Sequence, residues 1–438
     1  MTTPQTTAPD PEQAQRDFVE RHLNRNIAVQ LSHGLFGQTG FRLFSAPTFL
    51  PVYLYSISGS EVFVGLARSL EAVGQMLTPV IGASMIGHRR KLLGITISIS
   101  LLMRLQILFI ALVGFIFGAN DLGIWLVALF MTLLGVFQGI SVVTINSLRA
   151  KVIPIRRRGF VTGWRNFLSY GFTALLAYFA GSYFIDNNVL GNGYAAMFLL
   201  AFGVAMLGVV SLSFTREPVG ETVRDRENVL QSIRAIPRLF RDNPYFGRFF
   251  VVSALGSMGR MAMPFYILYV ATQMPLSGAT LGALTTIWML SGTATNVIWG
   301  GIADRNGYRI VMIVTLAMWT FAHVQLLMVD GIIGAMVFFT IFGVAFSGFN
   351  QARQNMVLEF GEDQDIPMRV AVANTATNAV GAIGPLLGGV ISVVLGYEVI
   401  FIVCLVVQFI ALVILMGAIP EPRTLLAARA SARAPESG

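Results

Sequence analysis

Four arginines lie deep inside runs of apolar residues, Arg42, Arg68, Arg104 and Arg260, with Arg165 nearer the end of another run and a single deep acid, Glu71. A guanidinium in such a place either pairs with a carboxylate or offers its planar fork to the oxygens of a carboxylate or phosphate. The excess of buried positive charge predicts a cavity that favours an anionic solute. Helical spacing supplies neighbours: Gln38, Arg42 and Ser45 recur at i, i+4 and i+7, and Ser253, Ser257 and Arg260 repeat the pattern. Arg68, Glu71 and Gln75 share one face at i, i+3 and i+7. Glu71 is therefore expected either in a permanent bridge with Arg42, Arg68 or Arg104, or as a carboxyl that takes up a proton when substrate competes for its arginine. His33 stands nine positions before Arg42, about half a turn away on an ideal helix, and reads as a packing histidine. Tyr53, Tyr266 and Tyr269 lie near span ends and read as interfacial aromatics.

The elements that carry these side chains are membrane helices. The chain has 438 residues, is 55% hydrophobic and 12% charged, and has a mean hydropathy of +0.69, more apolar surface than a soluble core of that size would hide. Apolar runs of roughly 20 residues, enough to cross a hydrocarbon layer, recur from residue 27 to 418. None alternates as a membrane barrel strand would. The expected spans are 27–54, 62–86, 92–118, 122–147, 160–184, 194–214, 246–272, 278–302, 309–329, 331–353, 369–394 and 396–418.

The formal charge of +8 does not point to nucleic acid, because the basic residues cluster in short connections. One set of connections carries HRRK (88–91), RAKVIPIRRR (149–158), the long 216–248 stretch, DRNGYR (304–309) and GEDQDIPMR (361–369). The alternate set has no lysine or arginine, so the positive-inside rule places the first set and both termini in the cytoplasm. The expected divisions are a cytoplasmic segment 1–26, a six-helix half 27–214, a linker 215–245, a second half 246–418 and a tail 419–438. Residues 1–26 lack the apolar stretch of a cleavable signal, which makes the first helix an anchor in the cytoplasmic (inner) membrane. The lone Cys404 excludes an intrachain disulfide and a cysteine-rich metal site. With no GxxxxGK[ST], HExxH or GxSxG pattern, ATP-driven transport and enzyme chemistry have no support, and neither cofactor nor metal is expected.

The two halves repeat each other. GASMIGHRRK from Gly82 and GGIADRNGYR from Gly300 are offset by 218 positions, and Arg42 and Arg260 are separated by the same 218. Gly300, Asp304, Arg305, Gly307 and Arg309 match the loop signature of the major facilitator superfamily, which the chain resembles from about 27 to 418. In the first copy Ile86, Gly87 and Arg89 replace the acid, the basic residue and the second glycine of that signature. The resemblance implies an all-α membrane protein of twelve transmembrane helices in two pseudo-symmetric six-helix halves. It also implies a gate function for the second loop and a solute site between the halves.

On that fold the first and seventh spans line the cavity, so Arg42 and Arg260 are expected to converge near mid-membrane, an arrangement that resembles the organophosphate antiporters. Gln38, Gln138, Thr293, Asn296, Asn350, Asn374 and Asn378 would complete a solute's hydrogen bonds, or tie helices together. Arg104 and His323 fall on usually peripheral spans and read as structural. The tract GAIGPLLGG (381–389) resembles the superfamily's glycine-proline helix packing, but the fifth span has no proline, unlike the drug and proton antiporters. The preferred expectation is a monomeric secondary transporter of a small organic anion, with proton coupling through Glu71. The rivals are export of hydrophobic or zwitterionic compounds, with the arginines locked in internal pairs, and a membrane sensor without turnover.

Overall fold

The computed structural model describes residues 11–87, 89–219, 237, 239–241, 243–360 and 366–423. Most of the 215–245 linker, part of the basic 361–369 connection and most of the tail lie outside the described residues. The described residues are helical, without strand. Nine of their helices are long and apolar enough to cross a membrane. Three further spans complete the expected twelve, and two of them are broken by proline. The first runs as Leu23–His33, a π-helical turn Gly34–Gln38, Thr39–Phe44 and, after a break at Ser45 to Thr48 that contains Pro47, Phe49–Ser58. The second divides into Glu61–Leu77 and Pro79–Gly87, because Pro79 has no N–H to continue the ladder. The eighth is Gly278–Asn306, whose polar residues dilute its hydropathy.

In lipid each orphan N–H at a helix start needs a partner. Ser60, Asn120, Asn192, Asn243 and Ser277 supply it, each accepting from a backbone N–H three residues on.

The halves meet along two helix pairs. Gly65 of the second span lies against the carbonyl of Pro385 in the eleventh, and Gly389 against Glu61. The N–H of Leu386, beside the proline, donates to Ser69 Oγ at 3.0 Å. Gly181 of the fifth span lies against Gly278 of the eighth, and Thr286 Oγ1 donates to Ala174 O at 2.6 Å. Small residues permit this closeness where lipid gives no hydrophobic drive.

Three polar contacts across the halves seal one face. Tyr397 donates to Glu61 at 2.9 Å, Asp186 accepts from the N–H groups of Gly278 and Ala279, and the hydroxyls of Thr48 and Thr285 hydrogen-bond. Toward the face that carries the basic connections the pairs part. Among the described residues, Gly159, Gly163 and Gly171 of the fifth span and Gly301 of the eighth meet nothing, and Val297 is 82% exposed. The molecule is therefore closed on one face and open on the basic face.

One expectation is corrected. Tyr53, Tyr266 and Tyr269 are buried in the interior, not at an interface. Tyr266 hydrogen-bonds His323 Nε2 at 2.9 Å and accepts from Trp319 at 3.2 Å, which gives the buried hydroxyl and imidazole their partners.

Candidate functional site

Arg260 stands just past the break at Ser257 and Met258 that divides the seventh span into Pro244–Gly256 and Gly259–Gln273. Four residues on, Pro264 offers no N–H to the Arg260 carbonyl, so the helix is interrupted on both sides of this charge. Its Nη2 donates to Asn350 Oδ1 at 3.3 Å, and its guanidinium lies 5.9 Å from the Phe346 ring centre. Among the described residues no carboxylate pairs with it.

Arg260, Trp288 and Phe346 are shared by two cavities. One, of about 220 Å³, reaches under the sealed face and includes Arg68, Glu71, Gln75, Pro47 and Pro385. The other, of about 710 Å³, opens between the fifth, eighth and tenth spans and includes Tyr170, Thr293, Asn296, Asn350 and Gln351. Ser347 Oγ donates to Asn296 Oδ1 at 2.6 Å, which fixes that amide on the cavity wall. Together the two cavities form a cleft with a cationic centre, an aromatic wall and an amide-rich mouth.

Glu71 is 7% exposed and takes Arg68 Nη1 on Oε2 at 2.7 Å, one turn back on its own helix. Of the expected partners it is Arg68, not Arg42 or Arg104, that holds the bridge. The pair lines the cleft with Arg260, so three charges face one volume with a net excess of one positive charge.

Arg42 does not converge with Arg260. Its Nη1 donates to Ser169 Oγ at 2.8 Å, its guanidinium stacks 3.5 Å from the Tyr170 ring centre, and it borders a separate cavity of about 350 Å³ in the first half. Tyr170 also lines the wide cavity, so the two arginines reach adjoining volumes through it. Gln38 and Gln138 line the Arg42 cavity, each with a buried Oε1 lacking a partner. Asn378 lines none of these three cavities, and Asn374 accepts from Arg353 at 3.1 Å. Arg104 is structural in part, donating to Ala205 O and Ser100 O at 3.0 and 2.9 Å, yet it borders the Arg42 cavity, as do His33 and Arg165. Trp288, Phe346 and Tyr170 were missed in the sequence, where an aromatic in an apolar run looks the same whether it faces lipid, core or cavity.

Among the described residues, those of the gate loop make no contact across the halves. Asp304 and Arg305 are exposed. Gly307 takes a φ of +85°, open to glycine at little cost, and Arg309 donates to Met416 O at 2.8 Å. The backbone N–H of Arg309 also donates to Glu421 at 3.3 Å. In the first half Glu217 holds the equivalent place, accepting from the N–H groups of Leu92 and Leu93 and from Lys151 at 2.7 Å.

A two-half helical bundle with a polar cleft between its halves is the build of a membrane carrier. The profile of the Major Facilitator Superfamily matches residues 34–268 and 249–437, and the chain belongs to that superfamily as a multi-pass membrane transporter. No curated protein matches it in sequence. Among solved structures, a point mutant of the nucleoside transporter NupG is similar in fold at 13% identity and TM-score 0.71, covering 90% of this chain and 99% of its own. The D-xylose-proton symporter gives the same identity and TM-score over 92% and 99%. A bacterial homolog to the human lysosomal transporter Spinster, inward-facing and unoccupied, gives 13% identity and TM-score 0.60 over 94% and 97%.

Proposed function

We propose that the protein carries a small organic anion across the cytoplasmic membrane by alternating access, with the basic face and both termini in the cytoplasm. The observation that carries this reading is Arg260: a guanidinium at the centre of the cleft with no carboxylate partner among the described residues and a neutral amide as its hydrogen-bond neighbour. Such a group favours a carboxylate or phosphate that brings both charge and acceptors. Trp288 and Phe346 suit an apolar or ring-bearing body behind the anionic end, and Asn296 and Asn350 suit its polar substituents. Arg42, stacked on Tyr170, borders the adjoining first-half cavity, which meets the cleft at that ring. In this reading the conformation open to the basic face is the inward-facing one, which agrees with the unengaged Asp304 and Arg305. Proton exchange enters through Glu71: an anion drawing Arg68 away leaves a carboxylate that lowers its energy by taking a proton. The fold neighbours named for a nucleoside transporter and a proton symporter are compatible with solutes of this size.

The test is thermal stabilisation of the purified protein by a panel of carboxylates, organophosphates and lipophilic cations, with Arg42→Ala and Arg260→Ala alongside. Stabilisation by an anion that is lost in Arg260→Ala and weakened in Arg42→Ala is the expected result. Stabilisation only by cations or neutral amphiphiles, unchanged in both variants, sinks the anion reading in favour of an exporter of such compounds.

A further inference from the structure

We infer that the first half carries a second anion site, separate from the central cleft, that takes a compact oxyanion of the phosphate type. The site is the cavity of about 350 Å³ bordered by Arg42, Arg104, Arg149 and Arg165. Four guanidinium groups face this volume, and no carboxylate is among its described lining residues. The bonds they make go only to neutral acceptors. Arg149 reaches Gln30 and Asn146 at 3.5 and 3.3 Å, and Arg165 reaches Asn166 at 3.4 Å. These are long, weak contacts for charges that a bound oxyanion would meet at closer range.

Orphaned groups mark the same volume. His33 is 3% exposed with neither ring nitrogen partnered, and Arg165 is 8% exposed with a free Nε. Gln138, whose Oε1 also lacks a partner, has an amide NH2 on the other side of the same side chain to donate. Buried polar atoms are seldom left unpaired, and the orphaned donors here, Arg165 Nε and an N–H of the His33 ring, point to a missing acceptor.

The backbone is built to hold this cluster. The π turn Gly34–Gln38 lies at its centre, and π turns recur at functional sites. The stem of Arg165 passes through the space that a side chain at Gly34 would fill, and a Cβ at Gly37 would stand 2.8 Å from Arg104. Two glycines thus leave the room through which two arginines converge.

A free phosphate and the phosphate group of an anionic lipid share the chemistry that this cavity selects. The experiment is calorimetric titration and thermal shift of the full chain with inorganic phosphate, in nanodiscs of zwitterionic lipid and of phosphatidylglycerol. Arg260→Gln, which disables the central site, should retain phosphate binding, while Arg165→Gln should weaken it about tenfold or more, the loss of one charge-assisted bond. Gln138→Leu, which alters no charge, gives the same readout if Arg165→Gln does not fold. Phosphate binding suppressed by phosphatidylglycerol identifies a lipid headgroup as occupant, and unsuppressed binding identifies a free anion. Binding that is absent throughout, equal in Arg165→Gln and wild type, or lost only in Arg260→Gln overturns the second site. The last of these outcomes leaves the central site standing, and loss of organic-anion binding in Arg260→Ala tests that site independently.

Discussion

At the scale of single residues, the Arg68 and Glu71 pair decides whether the cleft is fixed or responsive. The bridge is short at 2.7 Å, yet the Arg68 side chain keeps 26% of its exposure, so water and solute can reach one partner. Removing one partner of a buried pair costs roughly 3–5 kcal/mol, and this partly open pair should lose less, about 1–3 kcal/mol. Glu71→Gln is therefore expected to fold with a lower Tm. In proteoliposomes its uptake of the anion should no longer respond to an imposed pH gradient while binding persists. A variant that keeps its pH-driven uptake would show that the proton travels elsewhere. The sequence placed Arg68 and Glu71 on one face correctly, but Arg42 equally within reach; only the tertiary contact with Ser169 and Tyr170 removes Arg42 from the competition.

At the scale of elements, the packing of the second span on the eleventh holds the sealed face. Gly65 sits where any side chain would meet the Pro385 carbonyl, and overpacking such a contact costs about 1–3 kcal/mol. Gly65→Leu is expected to push the helices apart and raise thiol labelling of a cysteine placed at Thr48, with less protein in the form open to the basic face. Unchanged labelling would mean that the seal does not rest on this contact.

The end of the twelfth span gives a second element-level test. Burial and the neighbouring Glu359 carboxylate hold the Glu421 carboxyl above its ordinary value, against the N–H of Arg309 and the nearby Arg423. A carboxyl raised in the fold keeps a proton that the unfolded chain has released, so its contribution to stability falls as pH rises through the window above the usual glutamate value of about 4.3. Glu421→Gln should flatten that part of the Tm against pH profile. A profile identical to wild type would remove Glu421 from the linkage.

At the scale of the whole molecule, alternating access requires the sealed face to open. Thr48 and Thr285 touch across the halves through their hydroxyls, a spacing within reach of a disulfide, and the one native cysteine, Cys404, is buried. The double variant Thr48→Cys with Thr285→Cys should oxidise spontaneously, stop transport, keep ligand binding from the basic face and recover with reductant. Transport that continues in the oxidised protein would contradict rocking of the two halves about the central cleft.

The sequence by itself determined the solvent, the element type, the repeat and the family. Lipid requires each backbone polar group to be satisfied within a helix, so apolar runs of sufficient length leave little freedom of class, and the 218-residue offset needs no coordinates. It also named Arg260 and Glu71, because a charge in an apolar run stands out against its surroundings.

What tertiary structure alone decided is where each helix turns its faces. His33 and Arg42 should lie about 180° apart on an ideal helix, but the π turn between them absorbs a residue and leaves roughly 80°, which brings both to one cavity. Arg42 and Arg260 are symmetric in sequence yet border different volumes, because the first helix breaks after its arginine and the seventh before. Tyr53 and Tyr266 look alike at an interface or in a core, and packing put them in the core. Helix phase and the meeting of two halves depend on contacts hundreds of positions apart, and local spacing carries no record of them.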